Sequence, residues 1–402
     1  MKNILVIGFS TRNIICSGKR AGYNMFAIDA FCDHDMLECA EAAKKLDTGE
    51  GFDARNIEAA RTSEMIESFG IDFDAIIPAS GFETMEFPEH LPVLQNDHDT
   101  MKEVSDKSRF AKLLAGLDLP HPQTYPPSEI DDIIYPVMVK PACAGGGILN
   151  RVLRDREELH SYLGSLNRLQ VPLKKEDMII QDYLLGTPAS VSVISTEEEA
   201  YAIAVNEQLI GIPWLTKLPF AYCGNITPFI TPYADQMKDM SEKLILELGL
   251  IGSNGVDFLI TKDGPVIIEV NARFQGSLDT VEMSTGWNIF EAHMQAFDGA
   301  IRIKEPVNRQ YASRAIIYGD RDKEITDNIQ CKILEKHIAD VPNTGDMIHM
   351  DEPLTSVLST GHSREEVISE VKRSVMFIRE CLDLDTSLKG SPISKSTRVQ
   401  DI

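Results

Sequence analysis

Apolar segments of strand length alternate with helix-length segments over residues 1–95. The first strand is predicted at residues 4–8, and a helix over about residues 12–22 follows it. Two further strands are predicted at residues 25–29 and 75–78. Strands that are separated by helix-length segments indicate a parallel sheet with helices on its faces. Residues 1–95 are therefore expected to form a Rossmann-like α/β domain.

The turn after the first strand, Gly8-Phe9-Ser10-Thr11, lacks the later glycines of the dinucleotide-binding fingerprint. Asp29 at the end of the second strand does not replace them. We therefore expect a scaffold domain whose strand ends line a cleft. Glu83 follows a predicted strand at its carboxyl end, where open α/β sheets bind ligands, so it is a candidate substrate residue.

The chain is strongly acidic, with 39 Lys and Arg against 62 Asp and Glu in 402 residues and a formal net charge of −23. Nucleic acids and anionic membranes both need a basic surface, so neither is an expected partner. The sequence shows no secretory signal, no apolar stretch of ~20 residues and no C-x-x-C pair among its seven cysteines. The cysteines are therefore expected to be reduced thiols in a cytoplasmic protein.

A glycine cluster, Gly145-Gly146-Gly147, follows a predicted strand that delivers Lys140. Such a segment offers a cation and backbone N–H groups that phosphate oxygens can approach without obstruction by a Cβ atom. Residues 136–154 contain three basic residues and no acidic one, in a chain that is acidic elsewhere. The segment lacks the Walker pattern, so it is not a P-loop, but it is a candidate phosphate-binding loop.

Two apolar strands joined by a Thr-Lys-Asp-Gly turn are predicted within residues 256–270. Alternate strand residues share a face, so Glu269, Asn271 and Arg273 project together, and the hairpin can place Asp257 beside Glu269. Two carboxylates and an amide oxygen are ligands suited to Mg²⁺. Arg273 would then neutralise charge on a transferring phosphoryl group. A functional site is favoured over a solvated strand face, because apolar neighbours make buried charges here costly unless they are paired.

Six segments in a fixed order resemble the ATP-grasp superfamily, over about residues 1–380. In chain order they are Asp106-Lys107, Leu119-Pro-His-Pro-Gln-Thr124, Pro136-Val-Met-Val-Lys140-Pro with Gly145–Gly147, Gln181-Asp-Tyr-Leu184, Gly255-Val-Asp257-Phe258 and Glu269-Val-Asn-Ala-Arg273. No single segment is decisive, but their shared order makes the resemblance strong.

The resemblance implies roles for individual residues. Those implied to hold the ATP phosphates are Lys107, Lys140 and the flap glycines Gly145, Gly146 and Gly147. The implied ligands of Mg²⁺ or Mn²⁺ are Asp257, Glu269 and Asn271, and the implied catalytic residues are Lys140, Asn271 and Arg273. Those at the adenine position are Gln181, Tyr183 and Leu184. Relatives often carry an acidic or histidine ribose contact just after Gly186; none is present here, so either Asp182 takes that place or the ribose is held loosely.

The segment from residue 303 is similar to the C-terminal domain of biotin carboxylase and its relatives. Arg273-Phe-Gln275 is also similar to the pattern that serves bicarbonate in those enzymes, so Gln275 is a candidate substrate residue. The basic loop that they place before the metal-binding strands has no counterpart, and the chain best resembles their carboligase-like relatives. Glu207 lies between the adenine and metal segments; it could receive an amine, although a surface acid is an equally good interpretation.

The expected fold class is α/β, with the α+β architecture of ATP-grasp proteins and a small C-terminal α+β module. The predicted divisions are a pre-ATP-grasp domain at 1–95, a small lid subdomain at 96–190, a large subdomain with the metal site at 191–302, a biotin-carboxylase-like module at 303–385 and a flexible tail at 386–402.

The resemblance implies an ATP- and Mg²⁺-dependent ligase. A carboxylate would attack the γ-phosphate to give an acylphosphate and ADP, and an amine would then displace phosphate. The alternatives are a bicarbonate-activating carboxylase or carboligase and a non-catalytic ATP-binding protein. The phosphoryl-transfer Arg273 argues against the last. The expected partners are ATP and small carboxylate and amine substrates, and a homodimer is compatible with the resemblance.

Overall fold

The computed structural model describes residues 1–47, 59–128, 133–143, 147, 149–166, 174–302, 309–336 and 338–389, without the side chains of 59, 60 and 384–389. Within these ranges, no helix is both long enough and apolar enough to cross a membrane.

The N-terminal domain is built around a four-stranded sheet in the order β3-β2-β1-β4, and every pairing is parallel. Its elements are β1 (Asn3–Gly8), α1 (Arg12–Arg20), β2 (Asn24–Asp29), α2 (His34–Cys39), β3 (Ala42–Lys45), α3 (Ala59–Glu67) and β4 (Ala75–Pro78). Alternate residues of β1 enter two different apolar clusters, Ile4 and Val6 one and Leu5 and Ile7 the other. The sheet is thus covered on both faces, as the alternation of strands and helices predicts.

The sequence of residues 98–117 predicts one helix, but the chain forms two, α4 (His98–Ser105) and α5 (Lys107–Gly116). Asp106 between them is extended, with φ −88° and ψ 104°. Its Oδ1 accepts hydrogen bonds from the backbone N–H groups of Ser108 and Arg109. Asp106 therefore caps a new helix, because its carboxylate satisfies N–H groups that a continuous helix would have bonded to the preceding turn. Lys107 becomes the first residue of α5.

A small antiparallel sheet follows, in the order β5-β8-β6-β7. Its elements are β5 (Thr124–Tyr125), β6 (Val137–Pro141), β7 (Arg151–Leu153), α6 (Arg156–Ser165) and β8 (Met178–Asp182). Apolar residues from the strands and from α6, among them Val139, Leu159 and Ile180, form one core cluster. Lys140 thus stands on a strand that is held in place by its own small core.

The large sheet has eight strands, and all its pairings are antiparallel. Its strands in spatial order are β13 (Gly264–Asn271), β12 (Gly252–Thr261), β9 (Thr187–Ser195), β10 (Ala200–Ile210), β11 (Tyr222–Thr227), β14 (Tyr311–Tyr318), β18 (Pro353–Gly361) and β16 (Ile338–Ala339). The remaining elements are α7 (Ala234–Glu247), α8 (Leu278–Thr285), α9 (Ile289–Phe297), β15 (Lys323–Glu324), α10 (Asp327–Leu334), β17 (Met347–Ile348) and α11 (Arg364–Lys389), with β15 pairing β17.

The large sheet runs across the divisions predicted from the sequence. β9 already begins at Thr187, and β11 pairs directly with β14, which lies beyond residue 302. The C-terminal strands are therefore an extension of the same sheet. α11 runs to Lys389, inside the segment predicted to be a flexible tail, and residues 390–402 lie outside the described residues.

Cys16 on α1 and Cys39 on α2 form a disulfide, with their Cα atoms 5.3 Å apart. The expectation that all seven cysteines are reduced thiols is therefore wrong for this pair. The two residues are 23 positions apart in sequence and meet because α1 packs against α2. Cys32, Cys143, Cys223, Cys331 and Cys381 are free.

Candidate active site

A cavity of about 1050 Å³ lies where the N-terminal domain, the small sheet and the large sheet meet. This volume is at the upper end of the range for ligand pockets, which suits a site for more than one small molecule. The residues predicted from sequence that line it are Lys140, Gly147, Gln181, Asp182, Tyr183, Leu184, Asp257, Glu269, Asn271, Arg273 and Gln275. Lys107, Glu83 and Glu207 are not in its wall, and Gly145 and Gly146 lie outside the described residues.

The hairpin of β12 and β13 sets two carboxylates side by side, because Asp257 pairs directly with Glu269. Asp257 accepts hydrogen bonds from Gln208 Nε2 to its Oδ1 at 3.0 Å and from Asn271 Nδ2 to its Oδ2 at 3.2 Å. Desolvation, and then the Glu269 carboxylate, raise the pKa of Asp257 to about 7. A carboxylate whose pKa is raised by a neighbouring carboxylate is stabilised by a cation between the two.

The donor set of this hairpin fits Mg²⁺, which takes oxygen ligands and is usually held by one or two carboxylates plus substrate phosphates. In the described part of the chain, no group of three or more His, Cys, Asp or Glu side chains could hold a metal ion. A cation at this hairpin would therefore rely on Asp257, Glu269, the Asn271 amide oxygen and phosphate oxygens.

Two lysines approach the same hairpin from the small-sheet side. Lys140 ends β6, and Lys107 begins α5, whose first backbone N–H donates to the carbonyl of Ala142 at 3.1 Å. Lys107 Nζ lies 3.5 Å from Glu269 Oε1, and both lysines are buried. Burial, and then the charge of Lys107, lower the pKa of Lys140 to about 8. Two buried ammonium groups beside the hairpin supply positive charge of the kind that a polyphosphate needs.

The segment that joins the small sheet to the large sheet forms one wall of the cavity. Gln181 donates its Nε2 to Thr124 Oγ1 at 2.8 Å, and Asp182 accepts a hydrogen bond from the Tyr125 hydroxyl at 3.2 Å. The backbone N–H of Tyr183 donates to the carbonyl of Pro136 at 3.3 Å. Apolar side chains line the same wall, namely Met138, Leu184, Leu185, Phe258 and Ile268. An apolar slot beside strand-edge backbone groups suits a flat heteroaromatic ring.

Gly147 is the described member of the glycine cluster, and it packs against the segment before β11. Its φ is +73°, and a Cβ atom there would lie 2.1 Å from the carbonyl oxygen of Phe220. Both the left-handed backbone and this close approach require glycine at the position.

Arg273 is oriented by three oxygen acceptors. Its Nη2 donates to Asn271 Oδ1 at 3.0 Å, its Nη1 donates to the carbonyl of Phe274 at 3.1 Å, and its Nε forms an ion pair with Glu83. Glu83, predicted as a substrate residue, therefore contacts Arg273 behind the cavity wall. It joins the N-terminal domain to the segment after β13 and fixes the guanidinium.

Gln275 is buried against the backbone of β12. Its Oε1 accepts a hydrogen bond from Ser192 Oγ at 2.9 Å, and its amide occupies the place where a Cβ of residue 255 would lie, 1.4 Å from Nε2. Gly255 in the predicted Gly-Val-Asp-Phe segment is thus needed to admit the Gln275 side chain.

The structure places Glu207 away from the cavity, paired with a residue of α11. Both its carboxylate oxygens pair with Arg364 at 2.6 Å, at the start of α11. The next residue, Gln208, lines the cavity and donates to Asp257. Successive strand residues point to opposite faces of a sheet, so β10 can offer one of these two side chains to the cavity, and it offers Gln208.

Sequence reasoning missed a buried network of charges beside the cavity. Arg12 donates to both oxygens of Asp279, at 2.9 and 2.6 Å, and from Nε to Asp340 at 2.9 Å. Arg314 Nη2 donates to the other oxygen of Asp340 at 2.5 Å. Although burial opposes it, the charges of Arg12 and Arg314 hold the pKa of Asp340 well below its ordinary value. These residues come from four distant segments, none of which forms a motif, so no local signal could have found them.

Residues 104–277 match the model of the ATP-grasp domain family. The chain contains an ATP-grasp domain. Its fold class is confirmed, because the mixed α/β architecture is that of ATP-grasp proteins. The hairpin, the two lysines and the segment Gln181–Leu184 all lie within the matched residues.

Among the relatives of this ATP-grasp chain is an uncharacterized protein of Methanocaldococcus jannaschii. It is 23% identical over 391 residues, 95% of this chain and 92% of the relative. The 3-methyl-D-ornithine–L-lysine ligase of Methanosarcina mazei is 27% identical over 246 residues, 59% of this chain. The match also spans 59% of that ligase, less than two thirds of its length.

Solved structures establish the ATP-grasp fold over most of the chain. The biotin carboxylase domain of the Hydrogenobacter thermophilus 2-oxoglutarate carboxylase, a dimer in complex with MgADP and bicarbonate, gives a TM-score of 0.71 at 17% identity, covering 93% of this chain and 89% of that one. The L-amino acid ligase of Bacillus licheniformis gives a TM-score of 0.64 at 18% identity, and the match covers 95% of this chain and 97% of the ligase.

Proposed function

We propose that this chain is an ATP- and Mg²⁺-dependent ligase that activates a small-molecule carboxylate as an acylphosphate and joins it to an amine. One observation carries the proposal: a hairpin with two adjacent carboxylates, the buried Lys140 and an oriented Arg273 line a single cavity, and the buried Lys107 lies 3.5 Å from Glu269 behind them. Relatives that are ligases, and a fold neighbour that binds MgADP, support it.

ATP would lie between the two sheets. Its phosphates would be held by Lys107 and Lys140, with the glycine cluster closing over them, and its adenine ring would lie along Gln181–Leu184. Mg²⁺, or Mn²⁺ in its place, would be held by Asp257, Glu269 and Asn271, and when bound it neutralises phosphate charge. Asp182 remains the proposed ribose contact.

The residues of the site then position two substrates and stabilise charge. A substrate carboxylate oxygen bonds to the γ-phosphorus as the bond to the β-phosphate oxygen breaks, giving an acylphosphate and ADP. Lys140 and Arg273 are placed to neutralise the charge on the transferring group. An amine nitrogen then bonds to the acyl carbon, loses a proton and displaces inorganic phosphate. Gln275 would contact the carboxylate, and Glu83 would act through Arg273.

Activation of bicarbonate is the second candidate, because Arg273 and Gln275 lie together in the cavity wall and one fold neighbour binds bicarbonate. The part of the cavity near Asp33 and Asp340 is rich in carboxylates, which repel a second anion and attract an amine. We therefore favour the amine ligase over the carboxylase.

The metal assignment is tested with Glu269→Gln, which keeps the side-chain shape and removes the charge. We expect Mg²⁺-dependent ADP formation to fall by more than about 100-fold, because even outer-shell partners of a metal are worth 10–100-fold. Asp263→Asn in the turn of the same hairpin is the matched control, because its side chain is 81% exposed. Survival of Mg²⁺-dependent turnover in Glu269→Gln would show that the assignment is wrong.

The reaction class is tested by measuring ADP formed by the wild type with pooled carboxylates and amines, and separately with bicarbonate alone. The ligase predicts that ADP formation requires both pools. Turnover with bicarbonate alone would favour the carboxylase, and tight ATP binding without turnover in any pool would favour a non-catalytic binding protein.

A further inference from the structure

Four carboxylates line the part of the cavity between α2 and the segment that precedes β18. They are Asp33, Asp340, Asp346 and Glu352. Asp35 and Asp279 lie behind them, so the wall holds more negative groups than the two guanidinium groups beside it, Arg12 and Arg314, can balance.

Both guanidinium groups are already engaged. Arg12 bonds Asp279 and Asp340 and lies 3.6 Å from Asp35. Arg314 bonds Asp340, the carbonyl of Gly276 at 3.1 Å and Ser356 Oγ at 3.1 Å. Lys45, a further cation in this wall, pairs with Asp346 at 3.4 Å, and its side chain is 56% exposed.

Asp33 differs from the other buried carboxylates of this region. It is 8% exposed and lines the cavity, yet its carboxylate makes no hydrogen bond or ion pair with any residue that the structure describes. Asp35, by contrast, accepts backbone N–H groups of Asp340 and Val341, at 3.1 and 2.9 Å. A carboxylate that is nine-tenths buried without a partner is costly, and it is stabilised most by a cation that enters from the cavity.

The surroundings of Asp33 favour a positive charge there. Burial, and then the carboxylates of Asp340, Asp29 and Asp35, raise the pKa of Asp33 well above its ordinary value, and Arg12 only partly opposes them. A positively charged group beside Asp33 would counter every one of these repulsions. An ammonium group is small, carries three N–H donors and forms charge-assisted hydrogen bonds with carboxylates.

We propose, building on the proposed ligase function, that Asp33 accepts a protonated amino group of a substrate, so that this ligase selects substrates that carry an ammonium group. The group could belong to the carboxylate that is activated, as in an amino acid, or to the far end of the amine that attacks, as in a diamine. The ammonium that binds Asp33 keeps its proton and is therefore distinct from the nitrogen that forms the new bond.

The test is isothermal titration of the full chain, saturated with Mg²⁺ and a non-hydrolysable ATP analogue, with matched pairs of probes. The pairs are amino acids and diamines of two to six carbons and the same compounds without one amino group, for example L-lysine and L-norleucine, or 6-aminohexanoate and hexanoate. We expect the wild type to bind at least one aminated probe about tenfold or more tightly than its partner, the value of one charge-assisted hydrogen bond.

Asp33→Asn should abolish that preference while leaving the affinity for the nucleotide analogue unchanged. Because Asp33 has no side-chain partner among the described residues, the variant should unfold at the same temperature as the wild type or higher, which a purely structural role would not predict. Asp33→Glu should recover part of the preference, and Asp263→Asn should keep all of it. Discrimination by 6-aminohexanoate would place the ammonium on the activated acid, and discrimination by a diamine would place it on the nucleophile.

Two results would overturn the proposal: a wild type that never prefers the aminated member of a pair, or an Asp33→Asn variant that keeps the preference. Failure of the wild type to bind the nucleotide analogue with Mg²⁺ would contradict the ligase function itself, so the two failures can be told apart.

Discussion

His293 on α9 packs between the rings of Phe274 and Phe297, 4.4 and 5.0 Å away between centroids. Its Nδ1 accepts a hydrogen bond from the backbone N–H of Ser253 at 3.0 Å, so the ring is bound as the neutral tautomer. Burial lowers the pKa of His293 to about 3. Burial acts in the same way on Lys140 and Asp257, because it shifts the pKa of each in the direction that favours the neutral side chain. Binding of an oppositely charged group would favour the charged form again.

The His293 pKa predicts acid sensitivity. The pKa of His293 is about 3 in the folded state and 6.5 in the unfolded state. Below pH 6.5 this histidine is therefore protonated in the unfolded chain but stays neutral in the folded chain. The free energy of unfolding should therefore fall by up to about 1.4 kcal/mol per pH unit from this group between pH 6.5 and 3. Urea unfolding at pH 7 and pH 5 measures this change in the free energy of unfolding. His293→Gln should make the free energy of unfolding depend less on pH, and a variant of the exposed His349 should not. An unchanged slope in His293→Gln would contradict the pKa assignment.

Among the elements, the hairpin of β12 and β13 contributes most to the site, and it depends on a glycine. Gly255 leaves room for Gln275, whose amide would otherwise collide with a Cβ atom. Asp257 follows two positions later on the same strand and meets Glu269 in register.

Gly255→Ala should therefore displace Gln275 and lower both stability, by about 1–3 kcal/mol, and ligase activity. Gly116→Ala is the matched control, because a Cβ atom there meets nothing within 4 Å, and alanine is the better helix former. We expect Gly116→Ala to be neutral or stabilising by at most about 1 kcal/mol. Chemical unfolding compares the stability of the two variants, and ADP assays compare their activity. Full activity in Gly255→Ala would mean that Gln275 has no part in the reaction.

The sequence predicts those elements whose signals are local. The hairpin of β12 and β13 could be predicted because alternation fixes which of its residues share a face. The parallel N-terminal sheet could be predicted because strands and helices alternate. The break between α4 and α5 could not be predicted. The hydrophobic pattern of a helix continues through Asp106, although the side chain of Asp106 there replaces helical hydrogen bonds by capping α5. Glu207 was misplaced because the orientation of β10 depends on its pairing with β9 and β11.

For the whole molecule, the buried network around Asp340 connects the N-terminal domain to the C-terminal end of the large sheet. Arg12 and Asp340 are 328 positions apart, and Arg12 and Asp279 are 267 apart. Such separations explain why the network, and with it Asp33, could not be inferred from the sequence: its members meet only after the sheets have assembled.

Asp340→Asn should destabilise the folded protein by about 3 kcal/mol, because it removes the shared partner of two buried guanidinium groups. Asparagine tolerates the left-handed backbone of this residue, φ 56°, so strain is not introduced. Asp346→Asn, whose partner Lys45 is exposed, should cost less than about 1 kcal/mol. Equal stability losses in the two variants, measured by chemical unfolding, would contradict the structural role given to the network.

The proposed function requires that a substrate carboxylate be activated by phosphorylation. The most direct measurement is the fate of oxygen in ADP-forming reactions with pooled carboxylates labelled with ¹⁸O, unlabelled amines and Mg²⁺. An acylphosphate that is opened by an amine leaves one carboxylate oxygen on the released phosphate, so we expect inorganic phosphate that carries one ¹⁸O atom for each ADP. ADP formed together with unlabelled phosphate would contradict it.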